Sequence, residues 1–184
     1  VTQKISKAEA NQRMGRAGRL HPGICYKLWS KAQEGSFPEF APSEIESSDL
    51  TPFALELALW GSNINELALL TRPNEKALSE AYKVLQMLGA VNEQLQITKD
   101  GRLLSKIPLH PRLARIILVG GKDATLLASV LSNVDPLNSI NSSDINIRIA
   151  AIKNYQKQKS DSSYSLKVPI IKQIMKEMSH LAKH

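Results

Sequence analysis

The stretch between residues 73 and 89 constrains the fold most, because its apolar residues follow a helical period and both of its ends carry boundary signals. Pro73 and Asn74 precede it, as residues at helix starts often do. Gly89 follows it, where a left-handed residue commonly ends a helix. The apolar positions of the stretch are Ala77, Leu78, Ala81, Val84, Leu85 and Leu88. This spacing predicts one amphipathic helix with a buried face.

The segments on either side of this helix complete a small domain. Residues 51–60 are apolar nearly all round, with Asp49 or Thr51 as candidate N-cap, and Gly61 ends them. Residues 91–98 predict a short β element, and Thr98 or Asp100 then begins a short helix before Pro108. Two helices, a β pair and a third short helix within about 60 residues predict a winged helix. Its predicted core is Leu55, Leu59, Leu78, Leu85 and Leu88.

The apolar periodicity and turn signals of the remaining chain predict a mostly α fold with a small β component. The sequence predicts a helix at residues 7–14, a β-branched and aromatic strand at residues 24–29, and a linker that contains Pro38 and Pro42 at residues 36–42. Residues 109–184 predict helices throughout. Ser143 and Asp144 are caps for one of them, residues 160–163 are a polar loop, and the last helix begins near Pro169.

Charge and composition narrow the class of protein. The chain has 184 residues and a net charge of +7, with +6 in residues 1–32, −5 in residues 33–49 and +5 from residue 150 onward. This uneven distribution favours parts with different roles and a polyanionic partner. The single cysteine, Cys25, excludes an internal disulfide and favours a reducing, cytoplasmic location. No apolar stretch approaches the roughly 20 residues of a membrane span, so no membrane partner is expected.

One short motif carries groups suited to phosphate chemistry. Residues 12–19 read Gln-Arg-Met-Gly-Arg-Ala-Gly-Arg, with arginines at a spacing of three and two intervening glycines. Glycines permit positive φ and a close backbone approach to a ligand, and guanidinium groups match phosphate oxygens. The alternative interpretation is a solvated basic turn between a helix and a strand.

These residues match the QRxGRAGR signature, motif VI, of the DEAH-box helicases of superfamily two. The chain resembles this family along residues 1–120. Further similar runs are His-Pro-Gly-Ile-Cys-Tyr-Lys-Leu at 21–28, Ser-Glu-Ile at 43–45, Leu-Glu-Leu at 55–57 and Pro-Leu-His-Pro-Arg-Leu-Ala at 108–114. The last run and Leu-Trp-Gly at 59–61 are most similar to the bacterial HrpB-type branch.

The resemblance implies a fold, a reaction and roles for particular residues. Residues 1–35 would end the second RecA-like domain, residues 36–42 would be a linker, residues 43–108 a winged helix and residues 109–184 the start of a helical ratchet-like domain. Gln12 would contact the γ-phosphate of ATP, Arg16 and Arg19 would be arginine fingers, and Gly15 would complete the nucleotide site. Mg²⁺ would accompany ATP, and single-stranded RNA would be the polymer bound.

The rest of the motor would lie in the N-terminal RecA-like domains of a longer parent. The chain contains no Gly-Lys-Ser/Thr phosphate loop and no Asp-Glu-Ala-His run, and it begins at Val1 without an initiator methionine. A C-terminal fragment that is inactive as an ATPase alone is therefore expected. The alternative is a free-standing winged-helix module with a basic N-terminal arm, which binds nucleic acid or protein.

Other reactive side chains favour structural interpretations. Cys25 is expected to be a buried, inert thiol, and Trp29 and Trp60 are expected to pack in cores. His110 is expected to have a structural role, and the histidine spacing predicts no metal site.

Overall fold

The computed structural model describes residues 5–138, 140–157 and 164–183, and the polar loop predicted at 160–163 lies outside them. The chain divides into two compact units. Unit 1 comprises Val1–Ser48 with Thr71–Pro73, and unit 2 comprises Asp49–Leu70 with Asn74–His184. The described secondary structure is almost entirely helical, as the sequence predicts, with only isolated β-bridges at Val91–Ile97 and Leu137–Leu166.

Unit 1 contains three helices within its described residues, and the first of them has a well-capped start. These are α1 (Lys7–Met14), α2 (Lys31–Gly35) and α3 (Glu44–Ser47). Ser6 and Glu9 form a capping box at the start of α1, in which each side chain accepts a hydrogen bond from the other residue's backbone amide. Two further amides of the first turn, those of Lys7 and Ala8, donate to the carbonyls of Pro38 and Glu39 at 2.9 and 3.1 Å. The predicted linker therefore contributes acceptors to the start of α1.

The prediction of a strand at residues 24–29 is wrong. These residues belong to neither a helix nor a strand. Ile24, Tyr26 and Leu28 are 78%, 82% and 93% exposed, and Cys25 is an exposed free thiol rather than a buried one. A strand needs a neighbouring strand to satisfy its amides and carbonyls, and no described residue provides one. The end of the segment is anchored by an edge-on contact between the rings of Trp29 and Phe37.

Unit 2 begins with the predicted winged-helix elements. They are α4 (Thr51–Trp60), α5 (Glu75–Met87), the Val91–Ile97 bridge and α6 (Lys99–Leu104), with a short 3-10 turn at Ile64–Glu66. Gly61 ends α4 at φ 71°, and Gly89 follows α5 at φ 70°, so both predicted stops are left-handed glycines. Thr98 caps α6 by accepting a hydrogen bond from the Gly101 amide, as predicted.

The core of this half is only partly the predicted one. Leu55 and Leu85 are buried, whereas Leu59, Leu78 and Leu88 are half-buried. Trp60 is 62% exposed, which corrects the prediction that it packs in a core. It is the last residue of α4, directly before the left-handed Gly61 that ends the helix.

The described part of the second half of unit 2 contains four more α-helices, α7 (Pro111–Gly120), α8 (Thr125–Ser132), α9 (Ile145–Gln156) and α10 (Val168–Leu181), with a 3-10 turn at Gly121–Ala124. Asp144 caps α9, as predicted. Val130, Ile152, Ile171 and Ile174 form a buried cluster at the centre of α8, α9 and α10. The guanidinium of Arg148, almost fully buried, donates to the Asp135 carboxylate at 2.7 Å and to the Asp144 carbonyl at 3.0 Å, and so ties α9 to the segment that follows α8. No helix among the described residues is long and apolar enough to cross a membrane.

Candidate functional site

The predicted phosphate-binding motif lies at the end of α1 and in the turn that follows it. Gln12 and Arg13 occupy the last turn of the helix, and Gly15 is its C-cap. The chain continues in tight turns, because the amides of Arg16 and Ala17 donate to the carbonyls of Arg13 and Met14, each at 3.1 Å. The end of α1 thus fixes the backbone that carries Arg16.

The two glycines of the motif do not have the conformation that the sequence suggests. Gly15 has φ −64°, and Gly18 is not among the described glycines with positive φ. A Cβ added at Gly15 would meet only ordinary van der Waals contacts, 3.5 Å from the carbonyl oxygen of Asn11, and one at Gly18 would be 4.0 Å from its nearest neighbour. Their permissive φ is therefore not used in this structure.

The residue that requires a glycine is Gly23, four residues beyond the motif. A Cβ at this position would lie 1.7 Å from the carbonyl oxygen of Ala17, a distance that no side chain can adopt. The backbone at Gly23 therefore packs directly on the motif and closes residues 17–23 into a loop. Sequence reasoning did not assign this role to Gly23, although the Pro22-Gly23 pair is a recognised turn signal.

The motif arginines differ in their surroundings. All three are exposed. Arg13 faces Glu9 one turn earlier on α1. The pKa of Glu9 is lowered, first by its hydrogen bonds from Ser6 and to a lesser extent by the charge of Arg13. The guanidinium groups of Arg16 and Arg19 form no hydrogen bond or ion pair with any described residue. Their guanidinium groups therefore remain available to an external anion.

The donor set fits phosphate better than a metal ion. Residues 12–19 supply guanidinium and amide donors and contain no carboxylate, so they offer Mg²⁺ no ligand of the kind it prefers. Across the part of the chain that the structure describes, no three His, Cys, Asp or Glu side chains form a group that could hold a metal ion. The chemistry available here is binding of, and charge neutralisation on, phosphoryl oxygens.

His110 has the structural environment that the sequence predicts. It is the N-cap of α7, where its Nδ1 accepts a hydrogen bond from the Arg112 amide at 3.3 Å. Its Nε2 lies 3.2 Å from Oδ2 of Asp49, outside hydrogen-bond geometry. Asp49 in turn accepts hydrogen bonds from the hydroxyl and amide of Thr51, which together with the nearby His110 lower its pKa. His110 thus caps α7 and lies beside Asp49, which precedes α4.

Comparison with known proteins identifies the class to which this arrangement is related. Residues 81–109 match the family model described as the helicase associated domain (HA2), winged-helix. In fold, 97% of the chain superposes on 21% of the Escherichia coli DExH-box NTPase HrpB, with a TM-score of 0.70 and 28% identity. The resemblance to DEAH-box helicases of the HrpB type is therefore confirmed, as is the mostly helical fold with a winged helix.

Individual relatives agree with this class. The chain is 40% identical over 139 residues to the Saccharomyces cerevisiae probable ATP-dependent RNA helicase DHR1. It is 35% identical over 145 residues to the Escherichia coli ATP-dependent RNA helicase HrpA. These alignments cover 72% and 73% of this chain but 11% of each relative, so the chain spans about a tenth of their length.

Proposed function

We propose that the chain is the C-terminal part of an ATP-dependent RNA helicase and supplies the motif VI arginines to its ATP cleft. In this proposal residues 1–35 end the second RecA-like domain, residues 36–42 form a linker, residues 43–108 the winged helix and residues 109–184 the start of the ratchet-like domain. The relatives at 35–40% identity, which are named as ATP-dependent RNA helicases, support the assignment.

The observation that carries the proposal is the unsatisfied state of Arg16 and Arg19. Two exposed guanidinium groups without a described partner stand on a loop that is fixed by α1 on one side and by the Gly23–Ala17 contact on the other. Cationic donors on a backbone held in this way suit the charge that develops on a transferring phosphoryl group. Arg16 and Arg19 would act as arginine fingers, while the Gln12 amide would position the γ-phosphate or the attacking water. Gly15 would keep the nearby backbone free of a side chain.

The exposed segment at residues 24–28 supports a larger parent domain. Its apolar side chains Ile24, Tyr26 and Leu28 occupy every second position of the backbone and are exposed to solvent. This is the pattern of a strand whose neighbours belong to another part of a sheet. The N-terminal RecA-like domains of the same protein would provide those neighbours and the rest of the ATP and Mg²⁺ site. A free-standing winged-helix module, the alternative function, leaves this segment without a partner.

The test compares motif variants in the longer helicase that carries this sequence. Arg16→Ala and Arg19→Ala should each lower kcat for ATP hydrolysis far more than they weaken nucleotide binding, because the charge is needed mainly in the transition state. Arginine fingers contribute on the order of 10³–10⁵ in rate in studied NTPases. Arg→Lys should restore little activity, since an ammonium lacks the planar fork. Gln12→Ala should also slow turnover through lost positioning.

Lys31→Ala is the charge-matched control, because Lys31 is an exposed cation in the first turn of α2 outside the motif. Nucleotide Kd and circular dichroism check binding and fold. The assignment is rejected if Arg16→Ala and Arg19→Ala both fold and both hydrolyse ATP within a few-fold of the parent rate.

The 184-residue chain alone should not turn over ATP, because its sequence contains no Gly-Lys-Ser/Thr phosphate loop and no Asp-Glu-Ala-His run to hold the phosphates and Mg²⁺. A phosphate-release assay with and without single-stranded RNA measures this. Sustained hydrolysis that persists through repurification would contradict the proposed division of the ATP site.

A further inference from the structure

Unit 2 contains a pocket that motif VI does not use. It lies between the end of α4, the middle of α5 and the hairpin at residues 91–97, and its volume is about 600 Å³. Pockets of this size hold small ligands, and the side chains that line them decide the class of ligand. We call it the wing pocket and define it by Trp60, Tyr82, Gln94, Leu95, Gln96 and Arg102.

The aromatic side chains of the wing pocket provide a flat surface and a polar group. Trp60 is 62% exposed although it is a large apolar side chain at the end of a helix. An exposed indole that lines a pocket can stack on a flat π-system such as a nucleobase. Tyr82 is half-buried, and burial raises the pKa of its hydroxyl, so the group remains a protonated hydrogen-bond donor at neutral pH.

The charged and amide groups of the wing pocket select against a cationic ligand. No acidic side chain lines the pocket, and its one cation is Arg102. The Arg102 guanidinium is exposed and forms no ion pair or hydrogen bond through its side chain with the described part of the chain. The Gln96 side-chain oxygen accepts a hydrogen bond from Asn92 at 3.1 Å, which leaves its NH₂ group free to donate. Gln94 is exposed and makes no hydrogen bond with any described residue.

The hairpin holds Leu95 at the rim of this pocket in an unusual conformation. Its φ of 61° makes Leu95 the only described non-glycine residue with a left-handed backbone. A glycine or asparagine would adopt this conformation with less strain. The leucine instead places an apolar side chain, 42% exposed, beside the pocket.

We propose that the wing pocket binds an unstacked nucleobase together with its phosphate, with Trp60 stacking on the base and Arg102 contacting the phosphate. A nucleotide of single-stranded RNA and a free nucleoside monophosphate share this chemistry. Trp60, Arg102 and the two glutamines match the flat face, the negative charge and the polar edges of such a ligand. The inference goes beyond the proposed function, because it gives unit 2 a nucleotide contact that does not depend on motif VI.

The first experiment uses the fluorescence of Trp60 in the 184-residue chain. Trp29→Phe leaves Trp60 as the only tryptophan and preserves the ring contact with Phe37. A uridine hexaribonucleotide, UMP and AMP are titrated separately. Stacking should quench Trp60 with a saturable curve. Quenching by the hexamer alone identifies a strand as the source of the base, and equal quenching by the monophosphates identifies a free nucleotide; both results support the pocket.

The second experiment uses pocket variants of the otherwise unchanged chain and the anisotropy of a labelled hexamer. Trp60→Leu should weaken binding about five- to hundred-fold, the range found for the loss of one stacked base. Arg102→Gln should weaken it at least about five-fold. Lys99→Gln, three residues earlier, is the matched loss of one exposed charge outside the pocket and should change Kd less than about two-fold.

Three results would overturn the inference. One is hexamer binding that Trp60→Leu and Arg102→Gln leave unchanged, because RNA then binds elsewhere on the basic chain. Another is the absence of both quenching and binding. The third is binding of the apolar dye anilinonaphthalene sulfonate that Trp60→Leu abolishes and nucleotides do not displace, which would identify an apolar groove for a protein partner.

Discussion

Replacing Leu85 by alanine tests whether α4 and α5 form the centre of unit 2. The Leu85 side chain is 0% exposed, on a helix that packs against α4. Truncation of a fully buried leucine costs about 2–5 kcal/mol, because the lost burial is accompanied by a cavity that the surroundings fill only in part. Leu57 of α4 and Leu104 of α6 are as deeply buried, so little rearrangement is available and a value above about 3 kcal/mol is expected.

Urea unfolding followed by circular dichroism measures this loss. With a slope of about 2 kcal/mol per M, a loss of about 3–5 kcal/mol should lower the unfolding midpoint of Leu85→Ala by about 1.5–2.5 M. Met87→Ala is the matched control, because Met87 lies two residues later on the same helix and is 78% exposed. It should change the free energy of unfolding by no more than about 0.5 kcal/mol. A loss below about 0.5 kcal/mol at Leu85, or equal losses at both positions, would refute the described packing.

Two further predictions concern a close backbone approach and the ion pair between the buried Arg148 and the exposed Asp135. Gly101→Ala should destabilise unit 2 by about 1–3 kcal/mol or more, because the new Cβ would lie 2.1 Å from the Ala90 carbonyl oxygen. Gly35→Ala is the control and should be neutral or slightly stabilising, because a Cβ there would meet nothing within 4 Å. Equal thermal unfolding midpoints for the two variants would contradict this prediction. The pKa of Asp135 is lowered, first by the hydrogen bond from Arg148. The ionised Asp135 therefore contributes fully to the free energy of unfolding above its unfolded-state pKa of about 3.9. This contribution is lost as the pH falls through the lower pKa that Asp135 has in the folded chain. Asp135→Asn should flatten the decline in unfolding free energy below about pH 4, and identical pH profiles of variant and parent would exclude this role for the pair.

The sequence predicts much of the helical framework because the relevant signals are local. The starts and ends of α1 and α5, the caps at Thr98 and Asp144 and the left-handed Gly61 and Gly89 each depend on a few neighbouring residues. Apolar periodicity likewise identifies Leu85 as buried, because a helix face can be determined from spacing alone.

The errors occur where burial depends on distant parts of the chain. Residues 24–29 have the composition of a strand, but hydrogen-bonding partners cannot be inferred from that composition, and so Cys25 was expected to be buried and is exposed. Trp60 continues the apolar pattern of α4, but it is the last residue of that helix and is 62% exposed. The sequence does not predict that Gly23 must be glycine, because the requirement comes from the carbonyl oxygen of Ala17, six residues earlier, which leaves no room for a side chain.

The contact between the start of α1 and the backbone at residues 38–39 has a consequence for engineering. Two amides of the first helical turn depend on the Pro38 and Glu39 carbonyls, and Lys7 adds an ion pair to Glu39 at 3.2 Å. A shortened polypeptide that stops at residue 35 would expose these amides to water and release the helix that carries residues 12–14. Chimaeras that transfer residues 12–19 into another protein should therefore retain the chain through Glu39, so that α1 keeps its hydrogen bonds to residues 38–39 and the Lys7–Glu39 ion pair.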